Sequence, residues 1–409
     1  MIESNKSKLD GDNTIILPDQ MESGSNTFPF FQLLLLCLVG FTAVMTETMP
    51  AGLIPTMAND LHISPGLAGQ SISLFAIGAV LAGVPIISLT KHWSRKKVLL
   101  MALFGYVIFN TITAMSNHYV LMLTARFLGG TASGVAWGLL AGYAKRLVNP
   151  SQTGRALAIV GSSIPLALAF GVPIGTTLGM QFGWKGAFWI VSAFSLVLFF
   201  STLIFMKDFS GIDIKEKSKE RGSLGKNKLV TSLFVVLFLW MLTHYSFYTY
   251  LSSYLSLYQL DKHIDVFLLL FGCSALLGVF LVGKLIDRWL NFLIGGALIL
   301  FVISSVILMM GSVSSWFLYA GVIVWGIAFG GVPTLLQKRL SDLVTENLDV
   351  AQSIFATVFN LAIAVGSVFG AVVIGYFGPM ALPITLIAIG AIKGLLIIRN
   401  RRAVTNSTL

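Results

Sequence analysis

Apolar stretches about 20 residues long recur from residue 30 to residue 398, separated by short polar interruptions. Each is long enough to cross roughly 30 Å of hydrocarbon as a helix. None shows the ~10-residue alternation of a membrane-spanning β-strand. The pattern predicts twelve helices, at 30–54, 66–89, 98–115, 119–144, 156–179, 185–206, 229–257, 264–283, 291–311, 316–337, 351–376 and 378–398. The expected fold class is therefore an all-α integral membrane protein of twelve transmembrane helices.

Polar residues divide this array. Residues 1–29 form a polar tail without the basic start and cleavage site of a secretory signal. Residues 207–228 hold seven Lys/Arg and read as a cytoplasmic linker between a six-helix bundle at 30–206 and a second at 229–398. A short tail, 399–409, follows. With the N-terminus inside, the inward loops collect Lys91, Arg95, Lys96, Lys97, Lys145, Arg146, Arg155, Lys284, Arg288, Lys338, Arg339, Lys393, Arg399, Arg401 and Arg402, against only Lys185 and Lys262 outside. That asymmetry follows the positive-inside rule and puts both termini in the cytoplasm. It also explains the net charge of +10 as topogenic, with attraction for anionic lipid and no role for nucleic acid. At 56% hydrophobic and 11% charged residues, the chain is far from the roughly one-quarter charged composition of soluble domains. Cys37 and Cys273 fit no metal or redox motif.

An internal repeat supports the division into two pseudo-symmetric halves: Trp137-Gly138 with Gly142 recurs as Trp325-Gly326 with Gly330, at an offset of 188. Glycines also recur every four residues, at Gly130, Gly134, Gly138 and Gly142 and at Gly171, Gly175, Gly179 and Gly183. Such stripes let helix backbones approach closely. Two uses stand: static packing, or a sliding or hinging contact, helped by Pro165 and Pro173 in the fifth span.

Three strongly polar ionisable side chains lie deep in the predicted spans: Glu47, Arg126 and His244. Charges in hydrocarbon are costly and mark functional candidates. Glu47 lies about 12 Å below the outer end of the first span and Arg126 about 10 Å below that of the fourth, so the two are level. Either they pair statically, or Glu47 exchanges a proton or contacts substrate while Arg126 tunes it. His244 stands among Tyr248, Tyr250, Ser252, Ser253 and Tyr254, a polarity that predicts a wet cavity. It is a candidate for proton relay, for bonding substrate, or for a plain hydrogen bond to a neighbour. Gln337, Asn360 and Asn110 are further candidates for the cavity or for interhelical hydrogen bonds. No nucleotide-binding loop, zinc signature or nucleophile elbow is present, which argues against an enzyme.

Several stretches, taken in order, resemble the major facilitator superfamily, and within it the drug:proton antiporter group and its arabinose-efflux-like branch. They are Glu47-Thr-Met-Pro-Ala-Gly-Leu-Ile-Pro55, Ala82-Gly-Val-Pro85, Arg126-Phe-Leu-Gly-Gly130, Gly171-Val-Pro-Ile-Gly175, His244-Tyr-Ser-Phe-Tyr-Thr-Tyr250, Trp325-Gly-Ile-Ala-Phe-Gly-Gly331 and Phe359-Asn-Leu-Ala-Ile-Ala364. The loop-two signature departs from the family pattern: its Gly and Asp positions hold Ile87 and Lys91, while Arg95 and Lys96 survive. The second half keeps Gly283-Lys-Leu-Ile-Asp287-Arg288. The resemblance implies a conformational latch at Lys91, Arg95, Asp287 and Arg288, weaker or rewired in the first half. It implies packing or hinge roles for Gly130, Gly134, Gly171, Pro173 and Gly175.

The expected function is export of a sugar, nucleobase, nucleoside or drug by proton antiport through alternating access. Glu47, Arg126 and His244 would couple the proton, with Tyr248, Tyr250, Ser252, Gln337 and Asn360 lining the cavity. The proton gradient would be the energy source, with no cofactor and no metal. The partners would be substrate, protons and membrane lipid, and the chain would work as a monomer in the plasma membrane. An uptake symporter and a non-transporting receptor are the alternatives.

Overall fold

The computed structural model describes residues 28–90, 92–211, 228–344 and 348–407. Most of the polar tail, most of the central linker and Lys91 lie outside those residues. Among them the regular structure is entirely helical, and eight helical runs are long and apolar enough to cross a membrane. Two of these runs, Arg155–Phe205 and Asp261–Ser312, hold two passes each. The first breaks at Gly183, whose φ of 77° suits a residue without Cβ, and the second at Trp289 (φ −126°, ψ 25°). With Tyr119–Leu147 and Ala381–Ser407 the passes number twelve. The last helix runs through residues 399–407, which sequence reading gave to a tail. Chain start and chain end share one face of the bundle, the terminal face; the opposite one is the distal face.

The first span is two helices, Phe30–Thr48 and Pro50–Asp60. Pro50 offers no amide hydrogen to the carbonyl of Thr46, so the helix breaks one residue beyond Thr48. The fifth span is broken more deeply. Thr153–Gly161 and Ser163–Leu166 lead into a π-helical turn, Ala167–Gly171, ahead of Pro173.

Glycines set the closest backbone crossings. A Cβ on Gly130 in the fourth span would run into the carbonyl of Phe75 in the second, and one on Gly78 into the carbonyl of Phe127. The second half repeats both crossings: Gly330 against the Ala275 carbonyl and Gly278 against that of Ile327. All four residues are displaced by 200 (130 to 330, 75 to 275, 78 to 278, 127 to 327), not by the 188 read from the Trp-Gly repeat. The duplication is present in the packing, in a register twelve residues away from the one that the tryptophans suggest. Gly171, Gly175 and Gly179 receive Phe41, Met45 with Met49, and Leu53 from the first span. Gly183 does not continue that stripe; it makes the turn. Gly134 is half-buried, and Gly142 has no neighbour where a Cβ would stand.

The halves meet at the distal face through the second and eleventh spans (Pro65–Leu89 and Leu348–Phe377). The Tyr250 hydroxyl lies between the carbonyls of Gly66, at 3.2 Å, and Ser367, at 3.0 Å. Thr177 donates to the Asp265 carboxylate at 2.9 Å across the other side of the seam. Deeper, the π-turn presses on Gly272 in the eighth span, where Ala169 and the Leu168 carbonyl leave no room for a Cβ.

Candidate functional site

The break in the first span holds the site. Glu47 is buried one turn before Pro50, and its Oε1 has no hydrogen-bond partner. Arg126, also buried, is level with it. Its guanidinium does not take the carboxylate: Nε donates to the Ser71 carbonyl at 3.1 Å and an Nη to the Glu47 carbonyl at 3.3 Å. The rings of Phe75 and Phe188 flank it, 4.5 and 5.5 Å from centroid to guanidinium carbon. The arginine thus ties three spans together through backbone oxygens and leaves the carboxylate its hydrogen-bonding capacity. Beside it, Asn110 Nδ2 donates to Thr46 Oγ1 at 3.4 Å.

Across the seam, the seventh span (Lys228–Thr249, then Leu251–Leu255) brings its polar run inward. Tyr245 is buried there. His244 is buried, with its ring stacked on Phe329 (centroids 3.4 Å apart, planes at 6°) and close to Tyr248, Phe271 and Trp325. His244 Nδ1, Tyr248 Oη, Ser252 Oγ and Trp325 Nε1 are all buried without partners. Buried polar atoms normally find partners, so such a concentration of unmet donors and acceptors marks a place for a ligand or water.

Other expected site residues lie elsewhere. Tyr250 belongs to the distal seal, since its hydroxyl is committed between two carbonyls. Asn360 Nδ2 donates to the carbonyl of Ala356 in its own helix at 2.9 Å. Gln337 is exposed in Val332–Leu343, outside the buried cluster. Of the expected latch residues, Lys91 lies outside the described residues. Arg95 is buried at a helix start, its amide bonded to the Phe209 carbonyl at 2.8 Å. Asp287 and Arg288 line an open cleft of about 980 Å³ at the terminal face, with Trp289, Arg339 and Asp342.

Two residues outside the expected set shape the molecule. Asp208, at the start of the linker, accepts from the Ser94 hydroxyl and from the Lys96 amide at 3.4 Å. Burial pushes its pKa up, yet these hydrogen bonds, the Phe209 amide and the Lys96 charge outweigh it and hold the carboxyl below its ordinary value. Lys393, counted above with the terminal-face loop charges, is in fact fully buried in the last span. A signal was available: Lys393 precedes Arg399 by six residues, about 9 Å of helix, which places it well inside the hydrocarbon.

Comparison with known proteins agrees with this geometry. The model of the Major Facilitator Superfamily matches residues 36–344. A relative in Bacillus subtilis (strain 168), the uncharacterized MFS-type transporter YtbD, is 30% identical over 356 residues, 85% of this chain and 89% of that one. Among solved structures, the nucleoside transporter NupG is 14% identical with a TM-score of 0.72, over 92% of this chain and 99% of that one. A bacterial homolog of the human lysosomal transporter Spinster, inward-facing and occupied, is 13% identical with a TM-score of 0.74, over 93% and 98%. The chain belongs to the major facilitator superfamily, as a multi-pass membrane transporter and not an enzyme.

Proposed function

We propose that this transporter exports a small molecule from the cytoplasm by proton antiport, with Glu47 as the proton-exchanging group of an alternating-access cycle. The observation that carries this reading is the Glu47 carboxylate: buried, level with Arg126, and with Oε1 unpartnered because the arginine is committed to carbonyls. Such a carboxylate can hold a proton or accept from a substrate donor, and the two exclude one another, which is the requirement of antiport. His244, Tyr248, Ser252 and Trp325 supply the facing polar groups, and the surrounding rings favour a neutral or weakly cationic molecule with a flat apolar face. Sugars, nucleobases, nucleosides and amphenicol-like drugs are the classes to test. In this reading the chain works as a monomer in the plasma membrane with both termini cytoplasmic, and the proton gradient alone supplies the energy.

A thermal-shift screen of purified protein against those classes identifies a substrate. Proteoliposomes loaded with it then report proton movement. Glu47→Gln is expected to abolish substrate-driven proton flux, by at least about tenfold, while substrate counterflow persists. Undiminished proton flux in this variant overturns the assignment.

A further inference from the structure

Lys393 is the buried cation that the site described above does not use. It lies about 18 Å along the helix from Ala381, near mid-depth, in the span packed on the seventh, ninth and eleventh. Its Nζ donates to Thr243 Oγ1 at 3.3 Å, and that hydroxyl in turn donates to the carbonyls of Leu239 and Trp240. The ammonium sits against the rings of Phe301, at 4.2 Å, and Trp240, at 4.8 Å. No carboxylate among the described residues is within ion-pair distance of it.

The groups able to influence it are few. The seventh span contributes His244, next in the chain to the Thr243 that Lys393 bonds, and then Tyr245 and Tyr248. Residues 290–312 of the ninth span carry no titratable side chain, and the described side chains of the eleventh offer only Tyr376, exposed at the distal end. A methionine would fill the same space without the cost of a charge in hydrocarbon. Two rings and one hydroxyl only partly offset that cost. Arginine would keep its proton in any surroundings, whereas lysine can release one when buried.

We propose that Lys393 is a second proton-exchange site, in the C-terminal half, whose change of charge is felt at Thr243 and His244. The N–H bond breaks at Nζ, the electron pair stays on the amine, and the proton passes to a water molecule; reprotonation reverses the step. Its use within the transport cycle rests on the proton-coupled reading above, but the exchange itself can be tested without a substrate.

The test is thermal unfolding of the full-length protein in detergent between pH 5 and 10, for wild type, Lys393→Met and Lys393→Arg. The gap between wild type and Lys393→Arg is expected to change by several degrees across this range, because the guanidinium stays charged throughout. The gap between the two variants is expected to stay flat. The pH-dependent gap should also survive in a His244→Asn background, which assigns it to the lysine. A constant gap between wild type and Lys393→Arg, or one that disappears with His244→Asn, overturns the proposal. If Lys393→Met does not fold, the arginine comparison decides alone. Because melting needs no transport, failure here is separable from failure of Glu47→Gln in the proton-flux assay.

Discussion

Pro50 lacks an amide hydrogen for the Thr46 carbonyl, so the helix breaks close to Glu47, and Arg126 reaches the Glu47 carbonyl from the fourth span. A second bond, to Ser71, makes the guanidinium a two-pronged tie between helices. Hydrogen bonds to charged groups contribute about 1.5–3 kcal/mol each. Lys in place of Arg126 keeps the charge but cannot fork to two carbonyls. Arg126→Lys is expected to lower the unfolding midpoint in detergent by several degrees; an unchanged midpoint would show that the second prong contributes nothing. The depth of Glu47 and Arg126 was legible in the sequence, because depth follows from counting residues to the span ends. Their bonding was not. It depends on a backbone break in one helix and a carbonyl from a third, neither of which appears as a side-chain pattern. Lys393 was misplaced for a related reason: proximity in sequence to the arginines at 399, 401 and 402 outweighed its depth.

Helices cross closely only where glycine removes the Cβ, and the fourth span shows that one stripe serves several purposes. Gly130 rests on the Phe75 carbonyl, Gly138 faces the flexible Ile87 side chain, and Gly142 faces no neighbour at all. Overpacking typically costs about 1–3 kcal/mol, and a carbonyl in a packed helix yields less readily than a side chain. Gly130→Ala and its counterpart Gly330→Ala are therefore expected to destabilise the protein, each by at least about 2 kcal/mol. Gly142→Ala should be neutral or slightly stabilising, since Ala is the better helix former by about 1 kcal/mol. Thermal melts of the three variants check the contrast, and equal effects would contradict it. The four-residue spacing announced a close approach but not which glycines make it, nor that Gly183 turns the chain. The Trp-Gly pattern likewise announced two related halves but misjudged their register, because recurring residue types need not mark equivalent places.

At the scale of the whole molecule, the halves meet at the distal face where Tyr250 lies between two carbonyls and Thr177 donates to Asp265, and deeper where the π-turn rests on Gly272. A single hydrogen bond contributes about 1 kcal/mol net, roughly fivefold in a population. Tyr250→Phe is expected to raise the open population at that face by about this factor. The readout is the labelling rate of a cysteine placed at the buried Ala68 in a background lacking Cys37 and Cys273. An unchanged rate would remove Tyr250 from the seal. The displacement of 200 between the paired crossings has a further consequence, for the symmetry of the chemistry. It sets Arg126 opposite Gly326 and Ser71 opposite Phe271, and at Gly326 the Ser274 hydroxyl already fills the space that an arginine stem would need. At these crossings the two halves share backbone geometry and not side-chain chemistry. The charges buried deep in the spans differ between the halves, Glu47 and Arg126 in the first and Lys393 in the second, so neither half can stand in for the other. Aligning the copies will recover the glycines and pass over the charges.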